Sequence, residues 1–305
     1  MQPIEYRGWE HCYRLSNGHV DLVVTADVGP RIIHFGFPGG ENEFKVFEQD
    51  AGRTGGPQWR PYGGHRLWYA PEDQSGHYLP DNDPVEVAAI ESGLRVVQPI
   101  EPGAGIRKQM QIQLAPAEPG ARVIHRLTNE SGRPLELAAW ALSVMAPGGV
   151  AVLPLPPRGT HPANLLPTES LALWPYTDLS DRRCRLGRES VLLRQESDGP
   201  PQKIGLRGSM GWVGYARSGH LFVKRFTPTP NQPHADFGCA VEAFTNAEML
   251  EVETLGPLVT LAPGQSTVHT EYWSLLRDVP PPADGDAFGA IQARVAQLAA
   301  ASEVT

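Results

Sequence analysis

Short runs of apolar residues, alternating or continuous and closed by glycine, proline or asparagine, recur along this chain. HVDLVVTAD, PRIIHFGF, VEVAAIES, GLRVVQPI, IRKQMQIQLA, ARVIHRLTNE, LELAAWALSVM, SVLLRQE, GWVGYARSG, HLFVKRF and CAVEAFT are runs of this kind. In IRKQMQIQL the residues Ile106, Lys108, Met110, Ile112 and Leu114 share one side, with Arg107, Gln109, Gln111 and Gln113 opposite. That alternation is what an antiparallel sheet with one wet face requires. Turn chemistry separates the runs, as at Ser16-Asn17-Gly18, Asn129-Glu130-Ser131-Gly132 and Ala262-Pro263-Gly264. The spacing predicts an all-β sandwich. Helical periodicity is convincing only in the tail, where Phe288, Ile291, Val295 and Leu298 recur after the capping candidates Asp284 and Asp286. This predicts a packing helix over 284–300 at the end of one domain spanning 1–305.

Two stretches break the strand rhythm. Residues 49–84 read as a loop rich in Gly, Pro, Trp, Tyr and His, and residues 154–182 are proline-rich, with a helical turn expected near TESLALW. Structure-poor segments of this length in a compact domain are usually functional when their aromatic content argues against disorder. The first holds Trp59, Arg60, Tyr62, His65, Arg66, Trp68, Tyr69, His77 and Tyr78. Aromatic faces beside hydrogen-bonding groups suit a sugar ring, whose C–H faces stack while its hydroxyls take polar partners. Gly63-Gly64, just before His65, allows positive φ or a close backbone approach.

The late run MLEVETLGP concentrates the chemistry. Alternation puts Glu251 and Glu253 on one strand face, and Glu242 lies on the preceding strand-like run. Unpaired carboxylates are too costly for an apolar core, so this face lines a wet pocket or meets solvent.

Composition removes several classes. A formal net charge of −8, with basic residues scattered, disfavours nucleic acid and anionic membranes. No run approaches the ~20 apolar residues of a membrane span, and MQPIEYRGWEHCYRL lacks a signal-peptide core, so a cytoplasmic protein is the expectation. Three distant cysteines give neither a disulfide framework nor a CxxC site. HEXXH, GxSxG, P-loop and dinucleotide patterns are missing, so no metal or cofactor is expected. Carboxylate and histidine acid–base work on a small molecule is what remains.

SNGHVDLVVTADVGPRIIHFGF, FPGGEN, GGHRLWYAPE, HLFVKRF, and VEAFTN with LEVETLGPLVTLAPG resemble an uncharacterised bacterial family related to galactose mutarotase (aldose 1-epimerase), over nearly the whole chain. The resemblance implies a β-supersandwich and a small sugar as ligand. Val252-Glu253-Thr254 is similar to the Leu-Glu-Thr motif that carries the mutarotase base, which makes Glu253 the candidate base. His65 is the nearest match to a sugar-contacting histidine. The stretch 137–145, where a mutarotase carries its acid histidine, has none here. Either His65, His77 or His234 protonates the ring oxygen, or the site only binds sugar. If the mechanism is retained, Arg31, Arg66 and Lys224 bind hydroxyls or a carboxylate, Trp59 or Trp140 stacks on the ring, and Glu242 lines the site. Each has a structural alternative: Arg31 stiffening a turn, Lys224 pairing with Glu242, Trp140 in the core. An isomerase, a sugar-binding protein, a polysaccharide lyase or hydrolase, and a structural protein with a vestigial site all remain open, as does the oligomeric state.

Overall fold

The computed structural model describes residues 1–73 and 78–302. Two antiparallel sheets pack face to face. In spatial order the first contains β1 (Gln2–Tyr6), β2 (Trp9–Ser16), β3 (Asp21–Thr25), β4 (Arg31–Gly36), β5 (Gly64–Ala70), β10 (Leu135–Met145), β19 (Leu250–Leu255), β18 (Val241–Thr245), β15 (Gln202–Leu206) and β12 (Leu171–Leu173), with β20 (Val259–Leu261) also on β10. The second contains β13 (Cys184–Leu186), β14 (Ser190–Arg194), β11 (Val150–Pro154), β16 (Trp212–Arg217), β17 (His220–Arg225), β21 (Ser266–Leu276), β9 (Gly120–Asn129), β8 (Ile106–Leu114), β7 (Gly93–Val97) and β6 (Glu86–Ile90). The all-β sandwich read from the spacing is the observed architecture.

Alternation governs which residues meet. Leu67 of β5, Ala139 of β10, Val252 of β19 and Ala243 of β18 point into the core between the sheets. Their neighbours Trp68, Ala138, Trp140 and Leu142 form a separate cluster on the outer face of the first sheet. On β8 the alternation holds along its full length, and the inward Lys108 is accommodated by an ion pair with Glu101 at 2.8 Å.

The tail helix α1 (Asp286–Ser302) covers the outer face of the second sheet, where Phe288, Ile291 and Val295 pack with Trp212, Leu221 and Val223. No helix among the described residues is long and apolar enough to cross a membrane.

Two expectations need correction. The stretch 49–84 is not loop throughout, because β5 runs through its middle and sits in the interior of the first sheet. Near TESLALW the chain forms the edge strand β12, pairing with β15, rather than a helical turn. Gly63 and Gly64 do adopt positive φ, +92° and +70°. A Cβ there would lie 2.1 Å from Lys45 O and 2.2 Å from Ile32 O, so the glycines serve strand packing.

Candidate active site

One register row crosses the outer face of the first sheet: Arg31, Arg66, Leu142, Glu253, Glu242, Gly205 and Ala172, each the Cα partner of the next. Lys203 and Glu251 flank this row on the same face, two residues from Gly205 and Glu253. The late carboxylates and the segment after Gly-Gly-His therefore meet on one surface.

Lys203 is the hub. Its Nζ stands 2.7 Å from Glu242 Oε2 and 3.1 Å from Glu253 Oε2, between the indole rings of Trp140 at 4.6 Å and Trp174 at 4.8 Å. Gly205 makes room for this, since a Cβ there would lie 3.1 Å from Trp174 Cη2. Trp140 Nε1 donates to Glu253 Oε2 at 2.8 Å. Arg66 donates to Glu251 Oε1 at 3.0 Å and lies 4.3 Å from the centre of the Trp68 ring and 5.9 Å from that of Trp59. Tyr78 packs on Trp59 and Trp68 and donates to Glu72. The two long loops thus wall the acidic group from both sides, the first through Trp59 and Tyr78, the second through Trp174.

Glu242 and Glu253 are fully buried, and Oε1 of each has no hydrogen-bond partner among the described residues. Burial pushes the Glu242 carboxyl well above the usual range. Lys203 opposes this and Glu253 adds to it. Burial likewise raises Glu251 against the pull of Arg66. Burial also works against the Lys203 ammonium, but Glu242 and Glu253 outweigh it and hold Lys203 well above the ordinary lysine range. Of the two carboxyls on that ammonium, Glu242 is the one that burial drives toward its protonated form. Strongly perturbed neighbouring groups of this kind cluster at functional sites.

The sequence-derived residues divide sharply. Glu253, Glu242, Arg66, Trp59 and Trp140 come together. Arg31 lies in the same row but is fully buried, donating to Pro61 O at 3.1 Å, Gly63 O at 2.8 Å and Asp81 at 2.6 Å, so it anchors the first loop. His234 binds Thr229 Oγ1 and Gln232 O, each at 3.1 Å, and has no bond to the carboxylates. His77 lies outside the described residues.

His65 and Lys224 point the other way, into the core. Residues one apart on a strand face opposite sides, so Arg66 reaches Glu251 while His65 cannot. His65 Nδ1 bonds Ser143 Oγ at 2.9 Å, and its Nε2 is 2.7 Å from His125 Nε2. Lys224 Nζ pairs with Glu271 at 2.7 Å and donates to Ala141 O and Val252 O, so it is not the partner of Glu242. Glu271 also accepts from Trp273 Nε1 at 2.7 Å and from Thr254, whose hydroxyl touches His269 Nε2 at 2.7 Å. Burial drives the imidazoles toward their neutral forms, His65 well below its ordinary value, His125 to about 4 and His269 to about 3. Among the described residues, His65, His125 and Glu271 have ligand atoms within 4.8 Å of one another, a grouping that could hold a metal ion. The imidazole–imidazole hydrogen bond and the Lys224 ammonium already satisfy these donors.

No protein-family model matches the chain, and no curated protein does. Solved structures do. A provisional aldose 1-epimerase from Escherichia coli K12 is 14% identical, with a TM-score of 0.55 over 87% of this chain and 99% of that one. A galactose mutarotase-like protein from Lactobacillus casei is 11% identical, TM-score 0.56, over 87% and 100%. Another from Clostridium acetobutylicum is 10% identical, TM-score 0.56, over 90% and 98%. The chain has the galactose mutarotase-like fold. Within that fold, sequence reading missed Lys203 and Trp174. QKIGL was not recognised as a strand, although period two through Lys203 and Gly205 carried the signal.

Proposed function

We propose that this protein interconverts the anomers of a small aldose by carboxyl–carboxylate catalysis, with Glu253 as base and Glu242 as acid. The observation that carries the reading is the Lys203 bridge, which holds the two glutamates side by side with one oxygen of each unpartnered beneath aromatic faces. A mutarotase-type reaction needs one acceptor for the anomeric hydroxyl and one donor for the ring oxygen. A carboxylate beside a protonated carboxyl supplies both without a histidine.

Glu253 Oε1 takes the proton of the anomeric hydroxyl as the bond from C1 to the ring oxygen breaks, and Glu242 gives its proton to that oxygen. The open aldehyde turns about the C1–C2 bond. On reclosure the ring-oxygen proton returns to Glu242, and the Glu253 proton goes to the new anomeric oxygen. The pair carries one negative charge throughout, which the Lys203 ammonium offsets, and the Trp59 and Trp174 rings offer stacking faces. Both carboxyls are fully buried, so this reading requires the aromatic wall over them to open.

The test is anomer exchange followed by NMR across a panel of aldoses. Acceleration for at least one sugar, reduced at least a hundredfold in Glu253→Gln and in Glu242→Gln, is expected. Saturable sugar binding without acceleration would select a second reading, a non-catalytic sugar-binding protein, which the complete burial of both carboxyls favours.

A further inference from the structure

Between β17 and β18 the chain crosses the outer face of the first sheet at Ala235–Gly238. Ala235 packs with Trp68, Trp140, Leu142 and Leu255, and a Cβ on Gly205 would lie 2.5 Å from Cys239 Sγ. The turn is thus pinned at both ends beside the acidic group, and Asp236 is close enough to Glu242 to act on its carboxyl through space.

Asp236, Phe237 and Gly238 take successive left-handed φ values of +51°, +61° and +97°. Glycine adopts that region freely and aspartate tolerates it, but a phenylalanine there is strained. Packing does not compensate. Phe237 is 94% exposed, more than any other large hydrophobic side chain among the described residues. The imidazole of His234, bonded to Thr229 and Gln232, fixes the base of the turn. A bulky residue held in a strained conformation, with its ring in solvent beside a polar site, marks a functional constraint rather than a folding one. At two Cα steps it stands at most about 7.6 Å from Ala235, which packs with Trp68 and Trp140.

The geometry points to an outer sugar subsite at Phe237: the site takes the reducing end of a di- or oligosaccharide, and the second pyranose stacks on the Phe237 ring. This rests on the sugar reading above, since only the reducing-end unit carries the anomeric hydroxyl that Glu253 would address. An exposed aromatic ring is the face a sugar's C–H surface stacks on.

The experiment is calorimetric titration with cellobiose, xylobiose, mannobiose and galactobiose, each beside its own monosaccharide. It uses the full chain and its Phe237→Ser and Phe237→Trp variants, with thermal melts confirming that each folds. At least one disaccharide should bind about tenfold tighter than its monosaccharide, a difference of about 1.4 kcal/mol. Phe237→Ser should erase that advantage without changing monosaccharide affinity, and Phe237→Trp should keep it. Monosaccharide binding with no disaccharide gain, or a gain that survives Phe237→Ser, overturns the subsite and leaves the sugar reading standing. Absence of binding by every sugar overturns both.

Discussion

Trp140 donates its indole N–H to Glu253 Oε2 at 2.8 Å, while its ring face lies 4.6 Å from the Lys203 ammonium that meets the same oxygen. One side chain thus orients the carboxylate and supports its counter-ion. Trp140→Phe keeps the face and removes the donor. Losing a hydrogen bond to a charged group should lower stability by about 1.5–3 kcal/mol in urea melts. Anomer exchange, if the proposed chemistry holds, should fall further than that loss alone explains, because Glu253 is then oriented by Lys203 alone.

Lys203→Met leaves Glu242 and Glu253 buried together without a cation. Breaking such a pair should cost about 3–5 kcal/mol at pH 8. Glu242 has a folded-state pKa above its unfolded value, so its stabilising contribution is complete below the unfolded carboxylate pKa and disappears as pH rises through the folded one. Removing the ammonium moves that folded value higher still. The variant should therefore be distinctly more stable at pH 5 than at pH 8, and adding Glu242→Gln should recover part of the loss at the higher pH.

The interior histidines act with the opposite sign. His125 has its folded pKa lowered from 6.5 to about 4, so its contribution is present above 6.5 and is lost as pH falls toward 4. Linkage puts this at about 2 kcal/mol between pH 7 and pH 5. His125→Gln should start less stable at pH 7, because it breaks the bond to His65, yet lose less on acidification. Chemical denaturation at the two pH values checks this, and an equal acid loss in both proteins would remove His125 from the acid response.

Phe237→Gly relieves a left-handed phenylalanine that buries almost nothing. Stability should rise or hold, by up to about 1 kcal/mol once the extra backbone freedom of glycine in the unfolded chain is subtracted. A loss of stability would mean the ring has packing partners in solution.

Much of the strand pattern and the shared face of Glu251 and Glu253 were legible from period two alone. The aromatic walls were legible as unusual loops. What was hidden followed from β5. GGHRLWYA, embedded among Gly and Pro, read as loop, and a residue in a loop has no defined face. Once 64–70 is a strand, His65 and Arg66 must point to opposite sides, and the histidine leaves the site by geometry. Lys224 was hidden for a different reason. Both faces of β17 are covered, one by the first sheet and one by α1, so burial there carries no direction.

β10 carries the remaining consequence. Residues 138–144 of this strand pair with β5 on one flank and residues 140–145 with β19 on the other, and its side chains reach both the Lys203 group, through Trp140, and the His65 group, through Ser143. Tuning the chemistry of one compartment by shifting this strand would disturb the other. Backbone amides along it should exchange with heavy water only through global opening, so the acidic face and the cooperative unit of folding share a single backbone.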